Sequence, residues 1–304
     1  GRRMNIAPAW LKTFCTVCDS GSFTRAADAL GLTQAAVSQH IAHIEHVVGP
    51  VFLRRGRKIE IMPSGRALLQ YARDVDAASH RLAHAISPDR SHAGTIRIAT
   101  PGSSGLRIYD ALLGLQARHP DISVHHRFAP TDDIIDAVIG NRVELGIITH
   151  MPDDARLRVR KIGIEPLELI VPATVEIKSY KDLCDLGFID HPDGASMATR
   201  LLGQVFREFS GVKQIPCRGF SNQITLILEP VARRLGFTIL PRFARKAFRA
   251  QDQIAVHDHA PRVFDTLYAI SRAEWPLSAL SETVLYEIHR VIADQDKTSV
   301  NSAL

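Results

Sequence analysis

Residues 22–45 read Ser22-Phe23-Thr24-Arg25-Ala26-Ala27-Asp28-Ala29-Leu30-Gly31-Leu32-Thr33-Gln34-Ala35-Ala36-Val37-Ser38-Gln39-His40-Ile41-Ala42-His43-Ile44-Glu45. Phe23, Ala26, Ala27 and Leu30 recur at helical spacing and give a first short helix one apolar face. Ser22 or Thr24 is placed to cap its start, where a hydroxyl oxygen accepts from an orphan backbone N–H. Gly31 follows Leu30 where a chain leaving a helix often turns left-handed. Thr33 caps a second helix whose apolar stripe is Val37, Ile41, Ile44 and Val48. At 100° per residue that stripe turns Ala35, Ser38, Gln39 and Ala42 outward and leaves Gln34 at the exposed start. A small, hydrogen-bonding face suits a helix lying in a DNA major groove, with Gln34, Ser38 and Gln39 against base edges. It suits an ordinary helix pair in a bundle equally well, so the decision falls to the flanking sequence.

Upstream, Pro8 to Cys18 reads as a supporting helix. Leu11, Phe14, Cys15 and Cys18 share one face, so Cys15 and Cys18 are expected in a core rather than on a metal. Downstream, Val51–Leu53 and Lys58–Ile61 read as two strands around Arg55-Gly56-Arg57. A basic hairpin tip beside such a helix pair is a wing, with Arg54, Arg55, Arg57 and Lys58 toward phosphates or a minor groove. The charge distribution agrees. Residues 1–66 hold nine lysines and arginines against four acids, whereas the remaining chain holds 28 of each sign. All the net charge of +5 belongs to this segment, as expected for a polyanion-binding head on a neutral body.

Leu11, Phe14, Gly21-Ser22-Phe23, Ala26-Ala27, Leu30, Thr33-Gln34, Val37-Ser38, Ile41, Ile44-Glu45, Gly49, Phe52, Arg54 and Gly65 together form a register similar to the winged helix-turn-helix head of LysR-type transcriptional regulators. The chain departs from that pattern at Ala35, where proline is common, at Gly49-Pro50-Val51, and at Met62-Pro63. The last leaves Ser64 as the candidate cap of the next helix. From Ser64 to Ile86 the sequence predicts one long helix, with Leu68, Ala72, Val75, Ser79, Leu82 and Ile86 as a coiled-coil seam or a face packed on the helix's own body. The resemblance implies that this linker helix forms a dimer, within a homodimer or homotetramer. His80 and His84 have metal-ligand spacing but lie off the seam without a third ligand.

From Thr95 strands alternate with helices. Strands are expected at Thr95–Thr100, Ile122–Phe128, Leu145–Thr149, Leu167–Val171, Phe188–Asp190, Gln214–Arg218 and Phe237–Leu240. Helices are expected at Ser103–Arg118, Asp132–Gly140, Met197–Phe209, Ile224–Leu235 and Leu280–Ile292. This alternation argues for α/β architecture with parallel sheets covered on both faces. The resulting division is a head at 4–63, a linker helix at 64–87, a hinge at 88–94 and a regulatory body at 95–304. The body itself divides into subdomain I (about 95–167 and 268–298) and subdomain II (about 168–267), with crossovers near Glu168 and Phe264–Ile270. The resemblance implies an architecture similar to periplasmic solute-binding proteins. The basic start lacks a following apolar stretch, so no secretory signal is expected and the sequence reads as cytoplasmic. No apolar run is long enough for a membrane span.

In open α/β sheets ligands bind at the carboxyl ends of strands, where helix N-termini point. Thr100, Gly102, Ser103 and Ser104 lie at that end of the first strand, and the helix N-terminus there favours a small anion. A well-capped helix without a ligand reads the same way. Thr149-His150, His191 and Ser196 lie at corresponding ends, with Asn222 on a further rim. The resemblance implies that these positions line an effector site between the subdomains, for a small-molecule co-inducer rather than a bound cofactor. Double-stranded DNA is the expected macromolecular partner, with RNA polymerase a further one.

Two other classes stay open. An enzyme on the α/β body lacks a nucleophile elbow, a Walker loop, a dinucleotide fingerprint and a metal-ligand series. An architectural DNA-binding dimer with no ligand would have little use for the glycine-serine strand end. Cys184 and Cys217 are a conceivable redox pair, but nothing in the sequence brings them together.

Overall fold

The computed structural model describes residues 6–55, 58–85 and 91–301. The chain forms two compact units, Gly1–Ile86 and Ser87–Leu304.

In the first unit, α1 (Pro8–Ser20), α2 (Phe23–Leu30) and α3 (Gln34–Val48) pack on one another and precede the hairpin β1 (Phe52–Arg55) and β2 (Lys58–Ile61). Ser22, not Thr24, caps α2: its Oγ accepts from the Arg25 N–H at 3.4 Å. Thr33 Oγ1 accepts from Ala36 N–H at 3.1 Å and starts α3. Gly21 and Gly31 end the preceding helices at φ 63° and 64°, the left-handed conformation that glycine adopts without a side-chain clash. Phe14, Val17, Phe23, Val37, Ile41, Ile44 and Phe52 are buried in one core. Cys15 and Cys18 pack against it, half-buried, as the apolar face required. Burial pushes their thiols up to about 11 and about 12, away from the thiolate form that ligates metals.

The long helix α4 (Pro63–Ala85) divides its seam in two. Leu68 and Ala72 are buried in the head core and Val75 packs against it, so this half serves its own body. Ser79 is exposed and Leu82 is 62% exposed. Ile86, the hinge residues 88–90 and the side chains of His80 and His84 lie outside the described residues. Ser64 is not a cap. Its hydroxyl donates to the Pro50 carbonyl and ties the start of α4 to the wing. Gly65 lies so close to that wing that a β-carbon there would collide with the Val51 carbonyl.

The second unit runs β3 (Gly94–Thr100), α5 (Gly102–Arg118), β4 (Ile122–Phe128), α6 (Thr131–Ile139), β5 (Leu145–Ile148) and β6 (Leu157–Pro172). It continues through α7 (Tyr180–Leu186), β7 (Phe188–Asp190), α8 (Gly194–Val205), β8 (Cys217–Phe220), α9 (Leu228–Ala232) and β9 (Thr238–Pro241). It closes with α10 (Arg242–Ala247), β10 (Ile254–His257), β11 (Phe264–Arg272) and α11 (Ala279–Asn301). The sheet of subdomain I has the order β4-β3-β5-β11-β6. The second half of β6 continues into subdomain II, where it pairs with β9 and β10. β7 pairs with β8, and its Phe188 forms an isolated bridge to Phe237, the residue just before β9.

β7 and β8 pair in parallel, but the main sheet is mixed rather than parallel. β3 runs parallel to β4 and β5, but β11 is antiparallel to both β5 and β6. The cause is the connectivity: the chain leaves subdomain I along β6 and returns along β11, so the two crossing strands must oppose each other. β6 also begins at Leu157, well before the expected Leu167. Its first half is a sheet edge carrying exposed Arg158, Arg160 and Lys161, charges that protect an edge and hide the strand from an apolar pattern. α9 is shorter than the expected 224–235 helix, and Arg234 just beyond it turns left-handed at φ 63°. The terminal helix α11 packs as expected, with Leu280, Val284, Leu285, Ile288 and Ile292 buried in the core of subdomain I.

Candidate functional site

The head presents α3 with the intended polarity. Val37, Ile41 and Ile44 are buried, while Gln34, Ala35, Gln39 and Ala42 are exposed and Ser38 is half-buried. Its flanks are held by α1: Thr13 Oγ1 lies 2.8 Å from His40 Nδ1, and the Trp10 ring stacks on His43 at 4.7 Å. Glu45 has a role that spacing alone could not show. Its Oε1 accepts from the N–H groups of Val51 and Phe52 at 3.0 and 3.4 Å and so fixes the wing strand to the end of α3. One carboxylate thus ties the end of α3 to the first strand of the wing. Ser22, Thr24 and Thr33 lie at the starts of α2 and α3, and Thr24 and Thr33 are exposed. Arg57 and the side chains of Arg54, Arg55 and Lys58 lie outside the described residues.

In the second unit a cleft of about 400 Å³ opens between the β4 end with the α5 start on one side and the loops after β7 and β8 on the other. Leu106, Phe128, Pro130, Asn222, Gln223 and Ile224 line it. Beneath lies a chamber of about 40 Å³, which shares Gly102, His191, Asp193 and Ile224 with the cleft. Ser103, Ser104, Thr149, Glu165 and Asp265 also line this chamber.

The structure thus brings together Gly102, Ser103, Ser104, Thr149 and His191 at the chamber and Asn222 at the cleft. It does not bring Thr100, His150 or Ser196 to either lining. Thr100 is buried beneath α5, its Oγ1 2.7 Å from His126 Nε2. Burial lowers His126 to about 4, so the ring is neutral at physiological pH. Gly105 permits this arrangement, because a β-carbon would collide with Thr100 Oγ1 and the Phe128 ring. His150 and Ser196 are exposed.

Ser103 is committed to the protein. Its hydroxyl donates to Glu165 Oε1 at 2.6 Å and accepts from the Ala244 N–H at 3.0 Å. Glu165 Oε1 also accepts from the Phe243 N–H at 3.0 Å, so Ser103 and Glu165 satisfy backbone donors at the start of α10. Burial pushes the Glu165 carboxyl up to about 8, against the lowering effect of these hydrogen bonds. One residue pair across the strands, Asp265 faces Glu165 in the β11–β6 register. Arg200 donates to Asp265 Oδ1 at 2.5 Å, yet burial still holds that carboxyl above its usual range. The buried His191 shifts down through desolvation, and its Nε2–H donates to the Ile239 carbonyl at 2.9 Å. Glu165 and Asp265 were missed by sequence reasoning because both belong to the crossing strands, whose opposed pairing the sequence pattern did not reveal.

Among the described residues no helix is long and apolar enough to cross a membrane. Two family models match in the order of the two units. The bacterial regulatory helix-turn-helix protein model of the lysR family matches residues 8–66, and the LysR substrate binding domain matches residues 89–292. The chain is 26% identical over 255 residues to a RuBisCO operon transcriptional regulator of Acidithiobacillus ferrooxidans, covering 82% of each. It is 28% identical over 263 residues to the HTH-type transcriptional regulator AbaB of Streptomyces antibioticus, covering 82% of this chain and 85% of that one. In fold it is similar to a full-length OxyR variant from Pseudomonas aeruginosa, with a TM-score of 0.70 at 18% identity over 95% of this chain and 98% of the other. It is also similar to CbnR, a LysR family transcriptional regulator, with a TM-score of 0.65 at 19% identity over 94% and 99%. With a family model covering most of its length and a second on its head, the chain belongs to the LysR family of DNA-binding transcriptional regulators with an effector-binding domain.

Proposed function

We propose that this regulator reads DNA sequence through Gln34, Ser38 and Gln39 of α3, and that an effector in the cleft changes how it engages its site. The observation that carries the first part is the exposed, uncharged, hydrogen-bonding face of α3 above a fully apolar buried stripe. Such a face supplies base-edge contacts, while the basic wing at Arg54, Arg55, Arg57 and Lys58 supplies sequence-independent phosphate affinity. Ala35 and the exposed starts of α2 and α3, with Ser22, Thr24 and Thr33, complete the surface toward the duplex. A structure of CbnR has been determined in complex with its target DNA, which supports the same use of the head here.

The exposed Leu82 on the outer half of α4 supports pairing of this helix with a second copy, in a homodimer or homotetramer on an inverted-repeat site. Effector binding would act by favouring one placement of the two subdomains, which requires different affinity for the two placements. The altered DNA complex would then change contact with RNA polymerase. This is a cytoplasmic, non-enzymatic role.

Ser38→Ala is expected to cost about 1–3 kcal/mol on the cognate site and little on unrelated DNA, a loss of discrimination. Fluorescence anisotropy with cognate and scrambled duplexes at matched salt measures it. Equal losses on both duplexes would remove Ser38 from base readout.

A further inference from the structure

Two residues that line the inner chamber each carry a buried hydrogen-bonding atom without a partner. Asp265 is 1% exposed, and its Oδ2 has no partner although Oδ1 holds Arg200. Ser104 is also 1% exposed, and its Oγ has no partner. Buried polar atoms are nearly always hydrogen-bonded, and each exception calls for an explanation. Both atoms belong to residues lining the same chamber, alongside Glu165 and Asp193. No lysine or arginine lines the chamber or the cleft above it among the described residues.

The start of α5 by itself would favour an anion, and this is the expectation drawn from the sequence. A helix terminus contributes about 0.3–1 kcal/mol, and up to about 2 in partly buried geometry. Asp265 meets Arg200 through Oδ1 alone, and its buried Oδ2 is left without a donor, a larger penalty than a helix terminus offsets. The donor that an anion would have used, the Ser103 hydroxyl, is already given to Glu165. His191, the remaining basic side chain in the lining, gives its Nε2–H to the Ile239 carbonyl. What remains to be met is a carboxylate oxygen and a hydroxyl near an apolar mouth formed by Leu106, Phe128 and Ile224.

We infer that the effector is a primary amine with an apolar body: its ammonium enters the inner chamber against Asp265 Oδ2 and Ser104 Oγ, and its apolar part fills the cleft above. This rests on the reading of the cleft as the effector site. The ammonium supplies three donors, one of them for Asp265 Oδ2, and the apolar part gains by burial in proportion to the area covered.

The test is calorimetric titration of the full chain with primary alkyl and arylalkyl amines, 2-phenylethylamine among them, and with the matched carboxylates such as 3-phenylpropionate. At least one amine is expected to bind saturably and at least about tenfold tighter than its carboxylate. Ser104→Ala is expected to weaken that amine severalfold without harming the free protein, since no partner is lost. Asp265→Asn is expected to weaken it at least about tenfold, and Asp133→Asn, an exposed acid on α6, to leave it unchanged. Should Asp265→Asn fail to fold, the Ser104→Ala titration decides. Unchanged amine affinity in Ser104→Ala, or a carboxylate that binds tighter than its amine, overturns the inference. A carboxylate that binds in the cleft and shifts DNA affinity would leave the regulator reading standing. If no compound of either series binds, the ligand class and the assignment of the cleft fall together.

Discussion

Replacing Phe14 by alanine is expected to unfold the DNA-binding head near 37 °C while the larger unit keeps its own thermal transition. Phe14 is fully buried at the meeting point of α1, α3 and the wing, and its ring lies 5.2 Å from that of Phe52. Truncating a core phenylalanine costs about 3–5 kcal/mol, through lost transfer energy and the cavity left behind. A small unit whose whole stability is about 5–15 kcal/mol loses a large part of it. For a unit of this size the midpoint should fall by about 12 °C or more. Loss of anisotropy change with any duplex, together with a shifted low-temperature transition in calorimetry, is the expected result. An unshifted transition would mean that the head does not depend on this core. The same substitution should release the wing, because Phe52 begins β1 and its N–H is one of the two that Glu45 holds.

Glu165→Gln is expected to abolish a pH dependence in the stability of the effector-binding unit. Burial raises the Glu165 carboxyl in the folded chain from 4.5 to about 8, so the folded state holds its proton more tightly than the unfolded state. The stability this provides is fully present below the unfolded value and is lost as pH rises through the folded one. Across the interval between about 4.5 and about 8 the loss approaches 1.4 kcal/mol per pH unit. Glutamine keeps an oxygen for the Ser103 hydroxyl and the Phe243 N–H but has no proton to lose. From pH 7 to 8, above the range in which the lowered His126 and His191 add an opposite slope, the urea midpoint should therefore fall more steeply for the wild type than for the variant. Parallel curves would place the titrating group elsewhere. Glu165 and Ser103 together join the start of α5 to the start of α10 at the inner chamber.

The head was legible in its sequence because each of its decisions is local. Ser22 and Thr33 cap α2 and α3 through N–H groups three residues on, Gly21 and Gly31 end α1 and α2, and Val37, Ile41 and Ile44 fall on one face of a single helix. What escaped there was tertiary. Glu45 reaches across to the backbone of Val51 and Phe52, Ser64 reaches back to Pro50, and neither partner is visible in a periodic pattern. The seam of α4 shows the limit of periodicity most clearly. Leu68 and Leu82 occupy equivalent positions in the repeat, yet one is buried in the head and the other is exposed.

In the larger unit, alternation of strands and helices located most elements but not their pairing direction. Direction depends on the two crossings between subdomains, and the first half of β6 is disguised by its edge charges. The candidate site suffered from the same gap. Ser103 and Ser104 are neighbours at a strand end and read alike, but only Ser103 meets partners from β6 and α10. One is saturated by Glu165 and Ala244, and the other is buried with nothing to bond. The acids that set the character of the chamber, Glu165 and Asp265, lie on the crossing strands themselves and become neighbours only through their antiparallel register.

The central claim is that the exposed face of α3 reads sequence in a chain that is otherwise a two-part regulator. Its most direct test is selection of bound fragments from genomic DNA by the full chain, with Gln34→Ala/Ser38→Ala selected in parallel. The wild type should enrich fragments sharing one inverted-repeat motif, and the double variant should recover DNA without that motif at comparable total yield in low salt. Fragments with no common motif in the wild type, or the same motif recovered unchanged by the variant, would contradict the account.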